Sequence, residues 1–257
     1  MTTSTSADPV FAVIGATRGI GAATVAALAA DPARRVVCCG RDRDAGAALA
    51  EKLGDRVDFV PADITDPAEV EHFFAAVAER GRLIGAFNCA GVIGTDTILR
   101  GSHFHEADPA RFDDVMAVNV TALARCLRGE LALMVEHGAG GAVVNCSSVA
   151  GLRAADSLSV SYTAAKHAVI GMTRALAVEY ARHGIRVNAV CPGVIDTDML
   201  GGLHDQLLAH LRAKNPSARI GTPAEVADTV EFLLSDRAAY ISGTTVTIDA
   251  GGLSGAL

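Results

Sequence analysis

Tyr162 and Lys166 form the pair in this sequence whose spacing most directly indicates chemistry. On a helix, residues four apart lie within about 40° of each other around the axis and roughly 6 Å apart along it. A free phenol is a poor base at neutral pH because its pKa is about 10, but a neighbouring ammonium favours the phenolate. Such a phenol can take a proton from an alcohol or give one to a carbonyl oxygen. Tyr–Lys pairs at this spacing also arise by chance on exposed helices, so the surrounding elements must decide.

Ser148 stands at the end of an apolar run over residues 141–148, shortly before Tyr162. A hydroxyl at the end of a strand can hold a carbonyl or alkoxide oxygen in line with the phenol and stabilise its charge in a dry site. Ser147 is the alternative at the same strand end. A Ser–His–Asp hydrolase would instead carry its serine in a G-x-S-x-G turn, which Ser148 lacks.

Short apolar runs alternate with helix-like segments along the whole chain. The runs are apolar at nearly every position, which is typical of strands covered on both faces, and they occupy residues 10–14, 35–40, 57–62, 83–90, 141–148, 185–192 and 244–251. Helical spacing marks residues 19–31, 44–53, 67–80, 111–137, 160–183 and 223–235. This alternation predicts an α/β fold, a single domain with a Rossmann-type, doubly wound parallel sheet in three layers. Ligands of such sheets bind at the carboxyl ends of the strands.

Three glycines follow the first predicted strand and lead into the first turn of the first predicted helix. Gly15 permits a sharp turn, Gly19 lets the backbone approach a pyrophosphate, and Gly21 allows the helix to pack closely on the sheet. The free N–H groups and positive partial charge of the helix N-terminus then favour phosphate. A glycine trio alone is a weak signal, but at the head of an alternating chain it predicts a dinucleotide site.

The composition limits the classes of partner. Of the 257 residues 50% are hydrophobic, and the net charge of −7 argues against a nucleic-acid partner. Residues 1–9 have neither a basic start nor an apolar core, so they predict a flexible N-terminal tail rather than a secretory signal. No apolar stretch approaches the roughly 18 residues of a membrane span. The 6 cysteines are scattered without a CxxC motif, which predicts free thiols in a reducing cytoplasm.

Seven motifs in order carry a resemblance to a known family. They are IGATRGIG at 14–21, ADITD at 62–66, NCAG at 88–91, NV at 119–120, NCSSVAG at 145–151, YTAAK at 162–166 and PGVIDTDM at 192–199. From residue 10 to residue 252 the chain resembles the short-chain dehydrogenase/reductase family, whose glycines are spaced GxxxGxG. The resemblance implies an oxidoreductase that moves a hydride between a nicotinamide cofactor and an alcohol/carbonyl pair, with four catalytic residues: Asn119, Ser148, Tyr162 and Lys166. It also implies that Asn119 breaks its helix locally and holds a water that relays protons to Lys166, which in turn bonds the nicotinamide ribose.

The same resemblance implies which residues meet the cofactor. Asp63 and Ile64 are expected at the adenine, although Asp63 is equally typical of a turn or helix-capping carboxylate. Asn88 and Ala90 are expected near the ribose, and residues 195–197 near the nicotinamide carboxamide. The full expected set is Gly15, Thr17, Arg18, Gly19, Ile20, Gly21, Arg41, Asp63, Ile64, Asn88, Ala90, Gly91, Tyr162, Lys166, Pro192, Gly193, Ile195 and Thr197.

The end of the second predicted strand favours NADP(H) over NAD(H). An acidic residue there would bond the ribose hydroxyls of NAD and repel a 2′-phosphate, but the strand ends Cys39-Gly40-Arg41. Arg41 can bind that phosphate, and Arg18 beside the glycine turn can reach the same place. Asp42 follows immediately and offers a carboxylate to a ribose, so NAD(H) stays open as the alternative.

The chain departs from the family pattern in places. Ile14 replaces a threonine and Cys89 replaces the second asparagine of NNAG, so a different brace for the glycine turn is expected. Between residues 91 and 119 the chain is longer than usual. His103 and His105 in that segment offer two imidazoles, but without a third ligand this spacing is more typical of a surface loop, and no metal site is predicted.

Residues 196–220 resemble the family's lid over the substrate. Their apolar residues predict a pocket lined with aliphatic side chains, contributed by Met199, Leu200, Leu203, Leu207, Leu208 and Leu211. A secondary alcohol on an apolar or alicyclic skeleton, or the matching ketone, fits such a pocket. The alternatives are an NAD-dependent dehydrogenase of a diol or alicyclic alcohol, and a dinucleotide-sensing regulator without turnover, which would not need the proton donor Tyr162.

Helices 111–137 and 160–183 are apolar over more than one face. One face must cover the sheet, and the surplus predicts burial against another subunit. The resemblance implies a homodimer or a 222 homotetramer, with Gly251, Gly252 and Leu253 adding a second contact.

Overall fold

Seven parallel strands run through the described part of the chain, which in this computed structural model comprises residues 8–94, 103–154, 158–200 and 205–255. They are β1 (Pro9–Ile14), β2 (Arg35–Gly40), β3 (Val57–Pro61), β4 (Arg82–Asn88), β5 (Gly141–Cys146), β6 (Ile185–Pro192) and β7 (Thr245–Ile248). Their order in the sheet is β3-β2-β1-β4-β5-β6-β7, with every neighbouring pair parallel. The strand order reverses between β1 and β4, so their carboxyl ends open the crevice in which ligands of this sheet type bind.

Helices cover both faces of the sheet. Those of the described residues are α1 (Gly19–Ala29), α2 (Arg43–Leu53), α3 (Pro67–Arg80), α4 (Pro109–Met116), α5 (Leu123–His137), α6 (Val160–Glu179), α7 (Asp205–Lys214) and α8 (Pro223–Leu234). One apolar core lies between the sheet and α3, α5 and α6, where Phe73, Leu127 and Val169 are buried. The other lies between the sheet and α1 and α8, where Val25 and Val226 are buried. The predicted three-layer α/β architecture is confirmed.

Side-chain caps fix where the helices begin. Asp66 accepts a hydrogen bond from Ala68 N at 2.8 Å in front of Pro67, and Thr222 with Glu225 forms a capping box around Pro223. Proline suits the first turn of a helix because a backbone N–H at that position has no acceptor within the helix, so its absence costs no hydrogen bond. Both helix starts lie where the sequence predicts them.

The helix predicted over 111–137 is instead interrupted. α4 ends at Met116, a π-helical segment covers Ala117–Ala122, and α5 begins at Leu123. The strands predicted over 83–90 and 141–148 end early, at Asn88 and Cys146. The residues that follow each strand therefore leave the sheet and line its carboxyl edge.

Other predicted bounds were also wrong by a few residues. The tail predicted over 1–9 is too long at its end, because Pro9 already pairs with Arg82 in the sheet; residues 1–7 lie outside the described part. β7 occupies Thr245–Ile248 within the predicted 244–251, and α6 ends at Glu179 before a 3-10 turn over Ala181–His183. The lid segment contains α7, which the sequence did not predict. Across the described helices, none combines the length and apolarity needed to cross a membrane.

Candidate active site

Tyr162 and Lys166 lie together near the start of α6, as predicted. Ser159 caps the helix by accepting a hydrogen bond from Tyr162 N at 3.0 Å, while its hydroxyl donates to Ile93 O at 3.1 Å. The Lys166 ammonium is 5.5 Å from the centre of the Tyr162 ring and donates to Cys146 O at 2.8 Å. Both side chains are nearly buried, with 7% and 5% exposed. Helix α6 thus presents a phenol and an ammonium side by side at the end of β5.

The two serines after β5 have different roles. Ser147 is buried, and its hydroxyl donates to Lys166 O at 2.9 Å, which fastens α6 to the strand end. Ser148 is only partly buried and accepts from Ala150 N at 3.1 Å at the head of a 3-10 turn. Of the two hydroxyls, the one on Ser148 is therefore the one open to a ligand in the crevice.

Asn119 lies in the π-helical segment, so the predicted local break in its helix is confirmed. Its amide nitrogen donates to Val92 O and Val115 O, both at 2.9 Å, and its oxygen accepts from Val92 N at 3.3 Å. A Cβ on Gly91 would come within 2.7 Å of the Asn119 oxygen and 3.5 Å of the Lys166 ammonium. The extra residue of the π turn thus brings Asn119 against the loop after β4, beside Lys166.

The glycine turn joins β1 to α1 with the geometry that a phosphate needs. Gly15 (φ +85°) and Gly19 (φ +55°) adopt left-handed backbone conformations, and a Cβ on Gly21 would collide with Gly15 O. The N-cap residue of α1, Arg18, makes no side-chain cap, and the first turn carries no acidic residue. Apart from the N–H of Gly21, which donates to the Cys89 sulfur, the N–H groups at this helix end can serve an anion, which fits the pyrophosphate of a dinucleotide.

A different brace for the glycine turn was expected because Cys89 replaces an asparagine, and it is present. The Cys89 sulfur accepts a hydrogen bond from Gly21 N, and the backbone N–H groups of Cys89 and Ala90 donate to Ile14 O at 2.9 and 3.0 Å. The turn is also tied to β2 because Gly15 N donates to Cys39 O at 3.0 Å. Sulfur and backbone groups therefore do the bracing that amide and hydroxyl side chains would do.

The ends of β2 and β3 lie side by side at the edge expected for the adenosine half of a cofactor. Arg41 is exposed, whereas the Asp42 carboxylate accepts from Ala45 N at 3.1 Å as the cap of α2. Asp63 accepts from Thr65 N and from the Thr65 hydroxyl at 2.9 and 2.7 Å. Although burial acts the other way, those hydrogen bonds and the nearby Arg41 hold the pKa of the Asp63 carboxyl below its ordinary value. Asp63 is thus the turn carboxylate of the second alternative, and its contact with the adenine stays a prediction.

The segment after β6 lies over the glycine turn. Gly193 N donates to Ile248 O at 3.0 Å, and Ile195 forms an isolated bridge with Gly221. The Thr197 side chain is 3.1 Å from the position of a Cβ on Gly19. Arg18 and Asp198 form a mostly exposed ion pair at 3.9 Å, which is worth little by itself. The beginning of the predicted lid therefore touches the loop that would hold the phosphates.

The remaining expected cofactor residues follow the same strand ends. Thr17 packs against Gly40, Ile20 packs on the core beneath α1, and Pro192 is buried at the end of β6. The Ile64 side chain lies in the apolar core, so its backbone is the part that reaches the edge. The Asn88 side chain points inwards, where its amide donates to Glu130 and Asn145. Contact between these residues and a cofactor stays a prediction.

His103 and His105 lie at the surface, beside the undescribed residues 95–102 of the longer loop. Their rings stack with centres 5.9 Å apart, and His105 is 3.8 Å from the Glu106 carboxylate. Within the described ranges no three histidine, cysteine, aspartate or glutamate side chains converge on a common point.

Sequence reasoning missed two polar features at this end of the sheet. Glu130 is buried under β4, and the thiols of Cys89 and Cys146 meet where β4 and β5 end. The signal for Glu130 was available, since it interrupts the apolar stripe of α5 formed by Leu123, Cys126, Leu127, Leu131 and Met134. No local signal pairs the two cysteines, because they are neighbours only through the register of the sheet.

The Cys146 thiol is expected to be the most reactive at neutral pH. A hydrogen bond from the Cys89 thiol, together with the Lys166 ammonium, lowers the pKa of Cys146 although burial opposes the shift. The thiolate is the nucleophile, so iodoacetamide at about pH 7 should label Cys146 faster than Cys38, Cys39, Cys126 and Cys191, whose pKa values burial raises. Peptide mass spectrometry after brief labelling gives the order, and Cys89→Ala should slow the labelling of Cys146. Uniform labelling, or labelling of Cys126 first, would contradict the expectation.

Comparisons with known proteins agree with this geometry. A family profile described as "Enoyl-(Acyl carrier protein) reductase" matches residues 15–252. Levodione reductase of Leifsonia aquatica is 38% identical over 257 residues, covering 95% of this chain and 94% of the relative. The chain belongs to the short-chain dehydrogenase/reductase family. The crystal structure of levodione reductase superposes with a TM-score of 0.89 at 34% identity, covering 97% of this chain and 99% of that one.

A further relative narrows the class of reaction. Cis-4-hydroxycyclohexanecarboxylate dehydrogenase of Sinomonas cyclohexanicum is 39% identical over 249 residues, which is 95% of this chain and 96% of the relative. As a member of this family the protein is an oxidoreductase that acts on a CH–OH group or its carbonyl counterpart with a nicotinamide dinucleotide. The glycine turn and the uncapped N-terminus of α1 fit that cofactor.

Proposed function

We propose that this member of the family uses NADP(H) to interconvert a secondary alcohol and a ketone on an alicyclic skeleton, with Tyr162 as the general acid/base. The observation that carries the proposal is the grouping of Tyr162, Lys166 and the partly exposed Ser148 around the end of β5, beside the glycine turn. A sensor of dinucleotides needs the glycine turn but not the proton donor Tyr162. The alternative is an NAD-dependent dehydrogenase of a diol or alicyclic alcohol, which would use the same catalytic residues.

Each residue has a separate task in the reaction. A nicotinamide dinucleotide, when bound at the glycine turn, would supply or accept the hydride. Ser148 holds the substrate oxygen, and Tyr162 protonates that oxygen in reduction or removes its proton in oxidation. Lys166, whose ammonium lies 5.5 Å from the centre of the Tyr162 ring, would bond the nicotinamide ribose. Asn119, bound to both backbone groups of Val92, positions a water that passes protons to Lys166.

The choice of NADP(H) rests on the charges at the end of β2. Arg41 is exposed there, while Asp42 already serves as the cap of α2, which reduces its value as a ribose ligand. Arg18 lies at the glycine turn, where its side chain is 69% exposed and forms an ion pair with Asp198. The two arginines favour the 2′-phosphate of NADP(H), and because Asp42 is engaged as a helix cap, the end of β2 gives a ribose diol little to bind.

Arg41→Asp should reverse the cofactor preference. The variant loses a phosphate ligand and gains a carboxylate that repels the 2′-phosphate and can accept from ribose hydroxyls. We expect the ratio of kcat/KM for NADPH over NADH to fall roughly 100-fold, since two charge contacts change at about 1.4 kcal/mol each. Arg43→Asp is the control because it makes the same change of charge two residues further along the chain. Equal effects of both variants, or an unchanged ratio, would contradict a specific role of Arg41.

The alicyclic substrate class is supported by the lid and by the relatives. Met199, 48% exposed, and Leu200 lie at the start of the predicted lid, whereas Leu203 lies outside the described residues. Two relatives of 38% and 39% identity are named for a levodione and for a hydroxycyclohexanecarboxylate. An apolar pocket that holds a ring and presents one oxygen to Ser148 and Tyr162 agrees with both.

A cofactor and substrate screen tests the proposal. Cyclohexanones and cyclohexanols carrying one further polar group, together with open-chain ketones and alcohols of equal carbon number, are offered with NADPH or NADP⁺ and with NADH or NAD⁺. We expect turnover, read as the absorbance of reduced nicotinamide, with the cyclic compounds and the phosphorylated cofactor. Binding of a nucleotide without turnover of any compound would favour the sensor, and a preference for open chains would overturn the alicyclic assignment.

The remaining proposals concern the oligomeric state, the domain bounds and the cellular location. The exposed side chains of Val178 (80%) on α6 and Val135 (37%) on α5 support burial of these helices in a homodimer or 222 homotetramer, and residues 251–253 supply a second contact. We assign the chain from Pro9, the first residue of β1, onward to one catalytic domain with a lid at 196–220. The free thiols and the absence of a membrane-spanning helix among the described residues support a cytoplasmic location.

A further inference from the structure

Glu130 is an acidic residue at the centre of an apolar core. It lies in α5 with 0% of its surface exposed, among residues that pack between the sheet, α3 and α5. Glu130 interacts electrostatically with two thiols, those of Cys39 on β2 and Cys126 on α5. Burial keeps both thiols neutral. In the described structure its ionisation is influenced by burial and by one hydrogen bond, and by no cation. Water-free burial of an unpaired carboxylate is very costly.

A chain of hydrogen bonds links Glu130 to the helix that carries Tyr162 and Lys166. Asn88 Nδ2 donates to Glu130 Oε2 at 3.1 Å and to Asn145 Oδ1 at 3.0 Å. Asn145 Nδ2 in turn donates to the Thr173 hydroxyl at 3.0 Å, and that hydroxyl donates to Val169 O at 2.8 Å within α6. Asn88 and Asn145 are opposite each other in β4 and β5. The chain therefore crosses the sheet from α5 to α6.

The direction of this chain is fixed at its α6 end. A carbonyl can only accept, so Thr173 donates to Val169 O and accepts from the Asn145 nitrogen. The Asn145 oxygen then faces Asn88, which must present its own nitrogen to it. Asn88 Oδ1 is left without a donor, and Glu130 Oε1 is likewise without a partner, although both atoms are buried.

A single proton on Glu130 Oε1 would give both Asn88 Oδ1 and Glu130 Oε1 a hydrogen-bond partner. We propose that Glu130 is a neutral positioning residue whose protonated carboxyl forms a reciprocal hydrogen-bonded pair with the Asn88 amide and so holds the ends of β4 and β5 in place under the cofactor site. In this pair Oε1–H donates to Asn88 Oδ1 while Asn88 Nδ2 donates to Oε2. Burial, the dominant influence, raises the pKa of Glu130 to about 8 from an ordinary 4.5, which agrees with a neutral carboxyl at pH 7.

The pair lies directly behind the reactive groups. The loop that begins after Asn88 contains Ala90 and Gly91. The backbone of Ala90 packs against Gly15 of the glycine turn, and Gly91 faces Asn119 and Lys166. A carboxylate at position 130 would remove the donor to Asn88 and shift the loop on which these contacts depend. Ionisation of Glu130 should therefore weaken nucleotide binding as well as the fold.

Thermal unfolding over a range of pH tests the proposal without any substrate. The folded-state pKa lies above the unfolded one, so the contribution of Glu130 is complete below the unfolded value and is lost as pH rises through the folded value. Glu130→Gln keeps a neutral donor and acceptor at the same place. As pH rises, the wild type should lose stability that Glu130→Gln keeps. We therefore expect the difference in Tm, variant minus wild type, to increase by about 10 °C between about pH 5 and about pH 8.5. Glu136→Gln, an exposed glutamate of the same helix, should show no such trend.

Nucleotide affinity separates positioning from mere stability. The chain has no tryptophan, so the fluorescence of NADPH or NADH reports binding directly. The titrations use the reduced nucleotide that binds more tightly. Between about pH 7 and about pH 9.5, its dissociation constant for the wild type should rise roughly fivefold or more relative to its dissociation constant for Glu130→Gln. Glu130→Leu, which leaves Asn88 without either partner, should weaken binding at every pH, and Gln at this position should restore it.

Infrared difference spectra between the wild type and Glu130→Gln give the direct observation. A carbonyl stretching band of a protonated carboxyl, present at pH 7 and lost above the folded pKa, supports the neutral pair. A carboxylate band at pH 7, or a Tm difference that is independent of pH, would overturn the proposal. Because the infrared and unfolding measurements involve no nucleotide, that result would leave the proposed reaction and the choice of NADP(H) untouched.

Discussion

Replacing Tyr162 by Phe is expected to lower kcat/KM by roughly 1,000-fold while nucleotide binding stays within about twofold, since general acid–base catalysis typically contributes about 10²–10⁴ in rate. The substitution removes one hydroxyl and keeps the ring that packs in the small core of Val115, Ala150 and Ala165. It also keeps the 5.5 Å distance from the ring centre to the Lys166 ammonium. The loss should therefore appear in kcat, and the Tm should change little.

Tyr240→Phe is the matched control, because Tyr240 is fully exposed (104%) and distant in sequence from the crevice. Steady-state rates and nucleotide fluorescence titrations of both variants give the comparison. Activity that survives in Tyr162→Phe would remove the phenol from the chemistry and with it the proposed roles of Lys166 and Asn119. Loss of nucleotide binding together with activity would instead indicate that Tyr162 mainly shapes the pocket.

The second large effect is expected from Gly21→Ala. A methyl group at this position would collide with the carbonyl of Gly15 and lie 3.0 Å from Ala16 Cα, both of them backbone atoms that cannot move aside independently. The glycine turn and the start of α1 would have to separate, which displaces the N–H groups expected to bind the pyrophosphate. We expect the dissociation constant for the reduced nucleotide to rise at least about 100-fold, and the free energy of unfolding to fall by about 1–3 kcal/mol.

Gly171→Ala provides the comparison, since a Cβ there meets nothing within 4 Å. Within a helix this exchange stabilises by about 1 kcal/mol because alanine loses less conformational entropy on folding. Calorimetry and fluorescence titration of both variants distinguish a local collision from a general effect of alanine. Nucleotide affinity that is unchanged in Gly21→Ala would contradict the assignment of the glycine turn as the phosphate site.

Local patterns were enough to predict the sheet and the helix that carries the catalytic pair. Apolar runs covered on both faces identified all seven strands, because a strand buried between two layers of helices has no polar side to show. Their ends were wrong by up to three residues, as for β7, since the pattern of apolar residues continues after the last ladder hydrogen bond. Tyr162 and Lys166 met as predicted because helical spacing alone brings them together.

Other features of the site depended on contacts between distant segments. The break at Asn119 was anticipated through family resemblance, but the continuous apolar pattern of 111–137 contains no sign of it. The adjacent Ser147 and Ser148 look alike in sequence, and only the packing of α6 against β5 turns Ser147 to Lys166 O. No sequence pattern indicated where the Asn88 side chain points, and it donates to Glu130 and Asn145.

The sequence by itself thus determined the strands, most of the helices, the glycine turn and the Tyr–Lys pair, because each of these depends on residues within one helix, one strand or one loop. The tertiary structure decided which hydroxyl is open, what braces the glycine turn at Cys89 and why Glu130 can be buried. These depend on the register of parallel strands and on hydrogen bonds between residues separated by tens of positions, such as Asn88 with Glu130 and Asn145 with Thr173. No local sequence pattern identifies these hydrogen-bond partners, because they come together only when the helices pack on the sheet.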